Sequence, residues 1–491
     1  MIRADASERL GVGHVMRCAN LAAKLRARGA QVRFVSRADP GNLIATLRSR
    51  GFEVSVIGDQ HSFDEDAAQT RAAIGAQSVD WLIVDHYALD ERWEVALRPA
   101  ARQLLAIDDL PQRRHDCDRL LDQNARGTDT VDYRDRVPAG CELAIGARYA
   151  LLDAQYVSQR ASLAPRGGEV RRVLVTFGGS DPLDLTGRTL AALSSEAFAM
   201  LELDIVTGSN YPYSQRLEQA AAARPRTRVL PPQASLAPLL AAADLAIGAG
   251  GTTTWERLCL GVPAIVVCMA ENQRPGCEFL AREGLIEYCG LAESMTDETL
   301  SSAVSGFMQD SARRRDMAAR GQALVDGLGA ARIAEWLSPT AGSQLQLRRA
   351  APADVFLYFD WVNDAEVRRQ SLDTAPIAFA GHRRWFEARL ARPDSYLFVL
   401  LAGELPVGQI RFDSIDGWAN VDYSVDRIFR GRGWGAELLL RGMRAMSADT
   451  RFRGEVKPDN TGSAAAFERV GFREQAVTAA GLRVFTHEAL Q

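Results

Sequence analysis

Lysine is nearly missing from this chain: Lys24 and Lys457 are the only two in 491 residues. Chemistry that needs a Schiff-base lysine or a phosphate-gripping lysine therefore has almost no candidates. Lys24 falls in an amphipathic helical stretch and Lys457 precedes a proline, so both read as surface residues, and arginine carries the remaining positive charge. The seven cysteines are scattered, odd in number and without a C-x-x-C pair, which excludes a zinc ribbon or a redox dithiol as the organising feature. No apolar run approaches the ~20 residues of a spanning helix. The start, Met1-Ile2-Arg3-Ala4-Asp5, lacks the apolar core of a secretion signal, so the expectation is a cytoplasmic protein that does not engage a membrane. Arg plus Lys (58) nearly balances Asp plus Glu (62), for a net charge of −4. Nucleic acid is thus not an expected partner, because clustered positive charge supplies that affinity. A small phosphorylated ligand needs only a local site.

What is present points to a soluble α/β protein of two or three domains, with 47% hydrophobic and 24% charged residues. Helical periodicity from Arg17 to Gly29 alternates with short apolar runs at Gln31–Ser36, Phe52–Ile57, Trp81–Asp85 and Leu104–Asp109. Such alternation predicts βαβ units and a parallel sheet. It restarts after Ala164–Gly168, with Val173–Phe177, Leu203–Thr207, Leu245–Ile247 and Ala264–Val267 as strands. Two such halves predict a pair of Rossmann-like lobes facing a cleft, over residues 1–163 and 164–337. After a linker at 338–346, residues 347–491 change to an α+β order, with helices at Asp354–Val362 and His382–Leu390 before the strands Tyr396–Leu401, Pro406–Asp413 and Ala419–Val425.

The first constellation is Leu10-Gly11-Val12-Gly13-His14-Val15-Met16-Arg17. A glycine loop between the first strand and a helix places His14 at the carboxyl edge of the sheet, where α/β folds bind ligands. A neutral imidazole accepts a proton near neutral pH; the same spacing also fits a capping or structural histidine. Gly178-Gly179-Ser180-Asp181 follows an apolar strand and precedes the helical run Leu183–Leu193, so its amides and helix dipole are expected to bind an anion without lysine or metal. In Gly248-Ala249-Gly250-Gly251-Thr252-Thr253-Thr254-Trp255-Glu256, the residues Gly250, Gly251, Thr252 and Thr253 are placed to hold a diphosphate, with Glu256 accepting from ribose hydroxyls. Either loop alone also fits an ordinary strand-to-helix turn; together they favour a nucleotide site.

Gly248 to Pro263, G-A-G-G-T-T-T-W-E-R-L-C-L-G-V-P, looks like the donor-nucleotide region of GT-B enzymes. With I-R-A-D-A-S, G-V-G-H-V-M-R-C, Val84-Asp85-His86-Tyr87, Ile107-Asp108-Asp109 and Ala270-Glu271-Asn272-Gln273, the resemblance narrows to the UDP-sugar hydrolases of pseudaminic acid biosynthesis. These split UDP from 2,4-diacetamido-2,4,6-trideoxy-β-L-altropyranose. The resemblance covers roughly Met1 to Leu337 and implies that His14 activates water for an inverting attack at the anomeric carbon. It also implies that Gly13, Asn272 and Gln273 contact UDP or substrate, with Asp85 and Tyr87 as sugar contacts. No metal is expected; a His14/Asp85/His86 metal site is the minor alternative.

The second constellation is Arg430-Gly431-Arg432-Gly433-Trp434-Gly435, which fits the acyl-CoA signature R/Q-x-x-G-x-G/A between a strand ending at Val425 and a helix over Ala436–Met446. Successive amides at a helix start cradle a pyrophosphate, and glycines remove side chains that would block it. Asn460, Ser463, Phe467 and Gly471-Phe472 complete the pattern N-x-x-S/A-x-x-x-Y/F-x-x-x-G-F, which resembles GNAT N-acetyltransferases over about Leu347 to His487. The resemblance implies acetyl-CoA as co-substrate. Upstream, Asn363, Arg368, His382 and Trp385 look like amino-sugar contacts of the pathway's GNAT enzyme, though His382 equally suits packing. One departure stands out. Many GNAT enzymes have tyrosine where Phe467 stands and use it to protonate the leaving thiolate. Phenylalanine cannot do this, so another acid, such as Tyr423 or water, has to substitute.

The two resemblances describe consecutive steps: N-acetylation of UDP-4-amino-4,6-dideoxy-β-L-AltNAc, then removal of UDP. Other enzymes of the pathway are the conceivable protein partners. The rivals are a GT-B glycosyltransferase carrying a GNAT domain, and a nucleotide-sugar-binding protein with an inactive acyl-CoA domain.

Overall fold

The protein is described by a computed structural model over residues 1–58, 62–124, 133–163, 166, 168–179 and 181–488. Ser180, expected in the first anion loop, and part of the 164–168 boundary lie outside the described residues. The chain divides into two compact units, Met1–Ser338 and Pro339–Gln491.

Among the described residues the first unit holds two parallel sheets. The first contains β1 (Ile2–Ala4), β2 (Arg33–Arg37), β3 (Glu53–Ile57), β4 (Val79–Asp85), β5 (Ala101–Ile107), β6 (Arg119–Asp122) and β7 (Glu142–Ile145) in the order β3-β2-β1-β4-β5-β6-β7. The second contains β8 (Arg172–Thr176), β9 (Glu202–Val206), β10 (Thr227–Leu230), β11 (Leu245–Ala249), β12 (Ala264–Cys268) and β13 (Glu287–Leu291) in the order β10-β9-β8-β11-β12-β13. β11 and β12 are buried along their whole length, as the continuous apolar runs of a sheet covered on both faces require. In each sheet the order reverses beside the first strand, β1 or β8, which opens a crevice at the strands' carboxyl ends.

The segment 164–337 does not all belong to the second lobe. Its last helix, Gly329–Leu337, packs on the helix Gly13–Ala27 of the first lobe. Trp336 Nε1 donates to Glu142 at 2.7 Å, and the Leu337 carbonyl accepts from Trp81 Nε1 at 3.0 Å. A buried ionic cluster lies beneath β1: Arg3 donates to both Asp5 and Asp66, and Asp66 also accepts from Arg37 and Trp93.

The second unit contains β14 (Leu345–Arg349), β15 (Ser395–Ala402), β16 (Leu405–Ile415), β17 (Trp418–Val425), β18 (Phe452–Val456), β19 (Arg473–Val477) and β20 (Arg483–His487), ordered β14-β15-β16-β17-β18-β20-β19. β14 begins at Leu345, inside the stretch expected as linker. The sheet is antiparallel except between β17 and β18, which pair in parallel at Ala419↔Phe452 and Asn420↔Arg453 only. Beyond those two pairs the strands part, leaving a wedge with unpaired backbone on both walls. Across the described residues no helix is long and apolar enough to cross a membrane.

Candidate functional site

The helix Gly13–Ala27 starts at Gly13, so His14 sits in its first turn at the carboxyl edge of the first sheet. Asp85 is the last residue of β4, paired with Ala4 of β1. Its Oδ1 lies 2.5 Å from His14 Nδ1. Arg17, one helical turn beyond His14, donates to both Asp85 oxygens at 2.6 Å. Burial alone would raise the Asp85 carboxyl, but the charges of Arg17 and His14 outweigh it and hold the group well below the usual carboxylate range. An ionised Asp85 is met by Nδ1–H, and in the neutral ring that leaves His14 Nε2 as the acceptor. The expectation that Asp85 touches the sugar is therefore corrected. Its side chain is 0% exposed and both oxygens are taken by His14 and Arg17. The alternative metal trio also dissolves: His86 Nδ1 accepts from Ala88 N at 3.0 Å and its Nε2 faces Asp5 at 3.3 Å.

Tyr87 meets His14 edge-on, with ring centres 4.6 Å apart, and donates its hydroxyl to Asp109 at 3.2 Å. Asp109 lines a cavity of about 560 Å³ together with Gln112 of the first lobe and Asn272, Glu278 and Phe279 of the second. The cavity places Asn272 opposite the loop after β5. Gln273 turns away from it. Its Oε1 accepts from Met269 N at 3.2 Å and braces the glycine loop.

In the second lobe the two glycine loops differ. After β8, the helix Leu185–Ala192 does not start at Gly178 and Gly179, and its first amides are already taken. Asp181 accepts from Leu185 N at 2.9 Å and Thr186 N at 2.8 Å, while Asp184 accepts from Gly187 N at 3.1 Å. The expected anion site at that helix is thus corrected: two carboxylates occupy it. After β11, by contrast, no side chain caps the helix Thr253–Cys259. A Cβ on Gly250 would collide with Cys277 Sγ, so only glycine fits there. Beneath this loop Arg257, 1% exposed, donates to the Ala249 carbonyl and to Thr254 Oγ1, and no carboxylate accepts from it in these bonds. Burial lowers its pKa to about 10, which leaves it cationic at neutral pH. The loop faces the first lobe directly: a Cβ built on Gly13 would lie 3.7 Å from Thr252 Oγ1. Glu256 pairs with the Tyr156 hydroxyl, and its buried Oε2 has no hydrogen-bond partner among the described residues. Burial pushes the Glu256 carboxyl up to about 7.

In the second unit a cavity of about 1370 Å³ follows the wedge between β17 and β18 and is lined by Val425, Arg430, Gly431, Gly433, Trp434, Gly435, Asn460, Ser463 and Phe467. Gly431 and Gly433 are left-handed, at φ 79° and 75°, and no side chain caps the helix Trp434–Arg444. Arg430 holds the turn by donating to the Val425 carbonyl and Asp364, while Arg432 lies over the Phe429 and Trp434 rings instead of lining the cavity. Asn460 Oδ1 caps Ser463 N at 3.1 Å. One expected amino-sugar contact, Asn363, is corrected. Asn363 exchanges hydrogen bonds with the Ile377 backbone and is a brace. Arg368 lines the cavity but spends its guanidinium on the Val362 and Asp373 carbonyls and the Ser371 hydroxyl. His382 is 2% exposed, bonds the Val355 carbonyl and has its pKa lowered to about 4 by burial, so it stays neutral. Trp385 lines the cavity under the Arg411 guanidinium.

Sequence reasoning missed Arg17 and Asp109 as site residues. The i, i+3 spacing from His14 places Arg17 on the same helix face and was the available signal.

These features define a GT-B-like unit of two Rossmann-like lobes followed by a unit with a GNAT-type sheet. Residues 173–330 match the glycosyltransferase family 28 C-terminal domain, and residues 344–473 match the acetyltransferase (GNAT) domain. The chain is 24% identical over 291 residues to the UDP-2,4-diacetamido-2,4,6-trideoxy-beta-L-altropyranose hydrolase of Campylobacter jejuni, covering 59% of this chain and 98% of that protein. It is 30% identical over 189 residues to the spore coat polysaccharide biosynthesis protein SpsG of Bacillus subtilis, covering 38% of this chain and only 56% of that protein. The crystal structure of Acinetobacter baumannii MurG shares the fold of the first unit, with a TM-score of 0.50 at 17% identity over 69% of this chain and 99% of that one. The N-terminal region is homologous to the Campylobacter hydrolase, and the C-terminal unit carries a GNAT domain.

Proposed function

We propose that the chain is a bifunctional enzyme of nucleotide-sugar metabolism. Its C-terminal unit N-acetylates UDP-4-amino-4,6-dideoxy-β-L-AltNAc with acetyl-CoA, and its N-terminal unit then hydrolyses the product to free sugar and UDP. The observation that carries the hydrolase reading is the His14–Asp85–Arg17 array, whose helix start faces the uncapped glycine loop across the cleft. Water held by His14 Nε2 loses its proton to the imidazole as it attacks the anomeric carbon, and the configuration inverts. No covalent carboxylate is needed, unlike a retaining glycosidase. UDP leaves as a stable anion held by the amides of Gly251–Thr253 above the Arg257 cation, so the protein's task is to position water and offset diphosphate charge. The cavity lined by Asp109 and Asn272 is of a size to take the amino sugar. Joining the two active units in one chain raises the local concentration of the intermediate.

NMR of the UDP-amino sugar with and without acetyl-CoA tests both steps. Free diacetamido sugar and UDP should appear only with acetyl-CoA, and the acetylated UDP-sugar should accumulate in His14→Ala. Accumulation in the wild type would overturn the hydrolase reading. The match to the glycosyltransferase family 28 domain keeps one second reading: transfer of the sugar to an acceptor other than water. Free sugar as the main product excludes it.

Glu256 gives a separate prediction. A ribose hydroxyl donating to its buried oxygen favours the carboxylate, so UDP binding near pH 7 should release a proton. The apparent binding enthalpy of the wild type should therefore change with the ionisation enthalpy of the buffer. In Glu256→Gln that dependence should vanish and affinity should fall about tenfold or more, the cost of losing a charge-assisted hydrogen bond. Buffer-independent heats in the wild type would remove Glu256 from the ribose site.

A further inference from the structure

We propose that Tyr423 supplies the proton to the leaving thiolate of CoA, in place of the hydroxyl that Phe467 lacks; this rests on the acetyl-transfer reading of the C-terminal unit.

The sequence puts phenylalanine on the helix Thr461–Arg469 where many GNAT enzymes carry tyrosine, and the structure shows why that ring is not simply short of an oxygen. Phe467 is 2% exposed, and its Cζ fills the space a Cβ on Gly454 would take. It stacks on Phe485 and meets Phe472 edge-on. A hydroxyl on Cζ would point into the backbone of β18 and not into the wedge. The opposite wall of the wedge does carry one. Tyr423, on β17 and two residues before Val425, meets Phe467 edge-on with ring centres 5.8 Å apart. Its hydroxyl lies 3.2 Å from Ser463 Oγ and close to the first turn of the helix Trp434–Arg444. Tyr423 and Ser463 both line the cavity. The two strands are unpaired beyond Asn420, so an extended thioester arm can bond to β17 and pass the ring.

The step balances as follows. The substrate amine attacks the thioester carbonyl, the N–C bond forms, and the C–S bond breaks with its electron pair on sulfur. Tyr423 gives that sulfur its proton. The proton lost by nitrogen passes to water, and water returns one to the phenolate through the Ser463 hydroxyl. Burial pushes the Tyr423 phenol above its ordinary value, so it enters each cycle protonated.

The test is steady-state acetylation of the UDP-amino sugar by the full chain, following thiol release, with CoA affinity measured by calorimetry. Tyr423→Phe is expected to lower kcat by about 10²–10³-fold, with KM for acetyl-CoA and CoA affinity within about twofold of wild type. An activated aryl thioester, whose leaving thiolate needs no proton, should restore most of the lost rate. Ser463→Ala should lower kcat less, by about tenfold. Unchanged kcat in Tyr423→Phe would overturn the proposal while leaving acetyl transfer intact. A wild-type chain that binds CoA but acetylates nothing would overturn both. Equal loss with the acetyl and aryl thioesters, at unaltered CoA affinity, would make Tyr423 a packing residue.

Discussion

Asp85→Asn should lower kcat for UDP-sugar hydrolysis by about 10³–10⁴-fold, with little change in UDP affinity. The carboxylate accepts Nδ1–H of His14, which reserves Nε2 for the water proton. An asparagine that presents its NH₂ to Nδ1 selects the other tautomer, which places a hydrogen on Nε2 and leaves no base, as in buried Asp–His pairs of hydrolases. The substitution also leaves Arg17 buried beside a neutral group, which costs stability. UDP affinity separates the two effects. The Gly250–Thr253 loop and Glu256 belong to the other lobe, so normal UDP binding reports that lobe, and a thermal melt well above the assay temperature shows the first lobe folded; the lost kcat then belongs to His14. Wild-type kcat in Asp85→Asn would show that the orienting carboxylate is dispensable and would weaken the assignment of His14 as base.

The sequence reading and the structure part company at instructive places. β11 and β12 were legible because a parallel strand buried on both faces has to be apolar throughout, and Leu245–Ile247 and Ala264–Val267 are. His14 was placed at the sheet edge correctly, but the role of Asp85 was not. A residue ending a strand faces the ligand or its neighbour helix according to the phase of that helix, and only Arg17 at i+3 hints at which. The loop after β8 misled for a reason that was visible. Asp181 and Asp184 are the residue type that caps helices, and in the structure they satisfy amides that a diphosphate would need. The return of the helix Gly329–Leu337 to the first lobe was not legible. Its apolar face records that it packs, and nothing local records against what. Asn363 was chosen through resemblance to a family, and its amide turns out to be held by the backbone of Phe359 and Ile377. A polar residue in a family motif can be there to hold the loop and not the ligand.

His115 lends the first unit a pH dependence that reaches the rim of the cavity lined by Asp109 and Asn272. Its imidazole lies between Glu94, 2.7 Å from Nδ1, and Asp108, 2.8 Å from Nε2. Arg113 also faces Asp108, at 3.0 Å. The ring is buried, which alone would lower its pKa, but the two carboxylates outweigh burial and raise it to about 9. The folded protein therefore keeps a proton that the unfolded chain loses above about pH 6.5. The stabilisation is complete below that pH and is lost as pH rises through 9. Its full size is about 3 kcal/mol, the shift expressed as free energy. Urea unfolding of the wild type should show stability falling between pH 6.5 and 9, and His115→Gln should be less stable at pH 6 and nearly flat across that range. A wild type as flat as the variant would mean that the ring is neutral in the fold. The same clamp fixes Asp108, next to Asp109 at the rim of the cavity. KM for the UDP-sugar should accordingly rise in His115→Gln, while CoA affinity, a property of the other unit, stays unchanged.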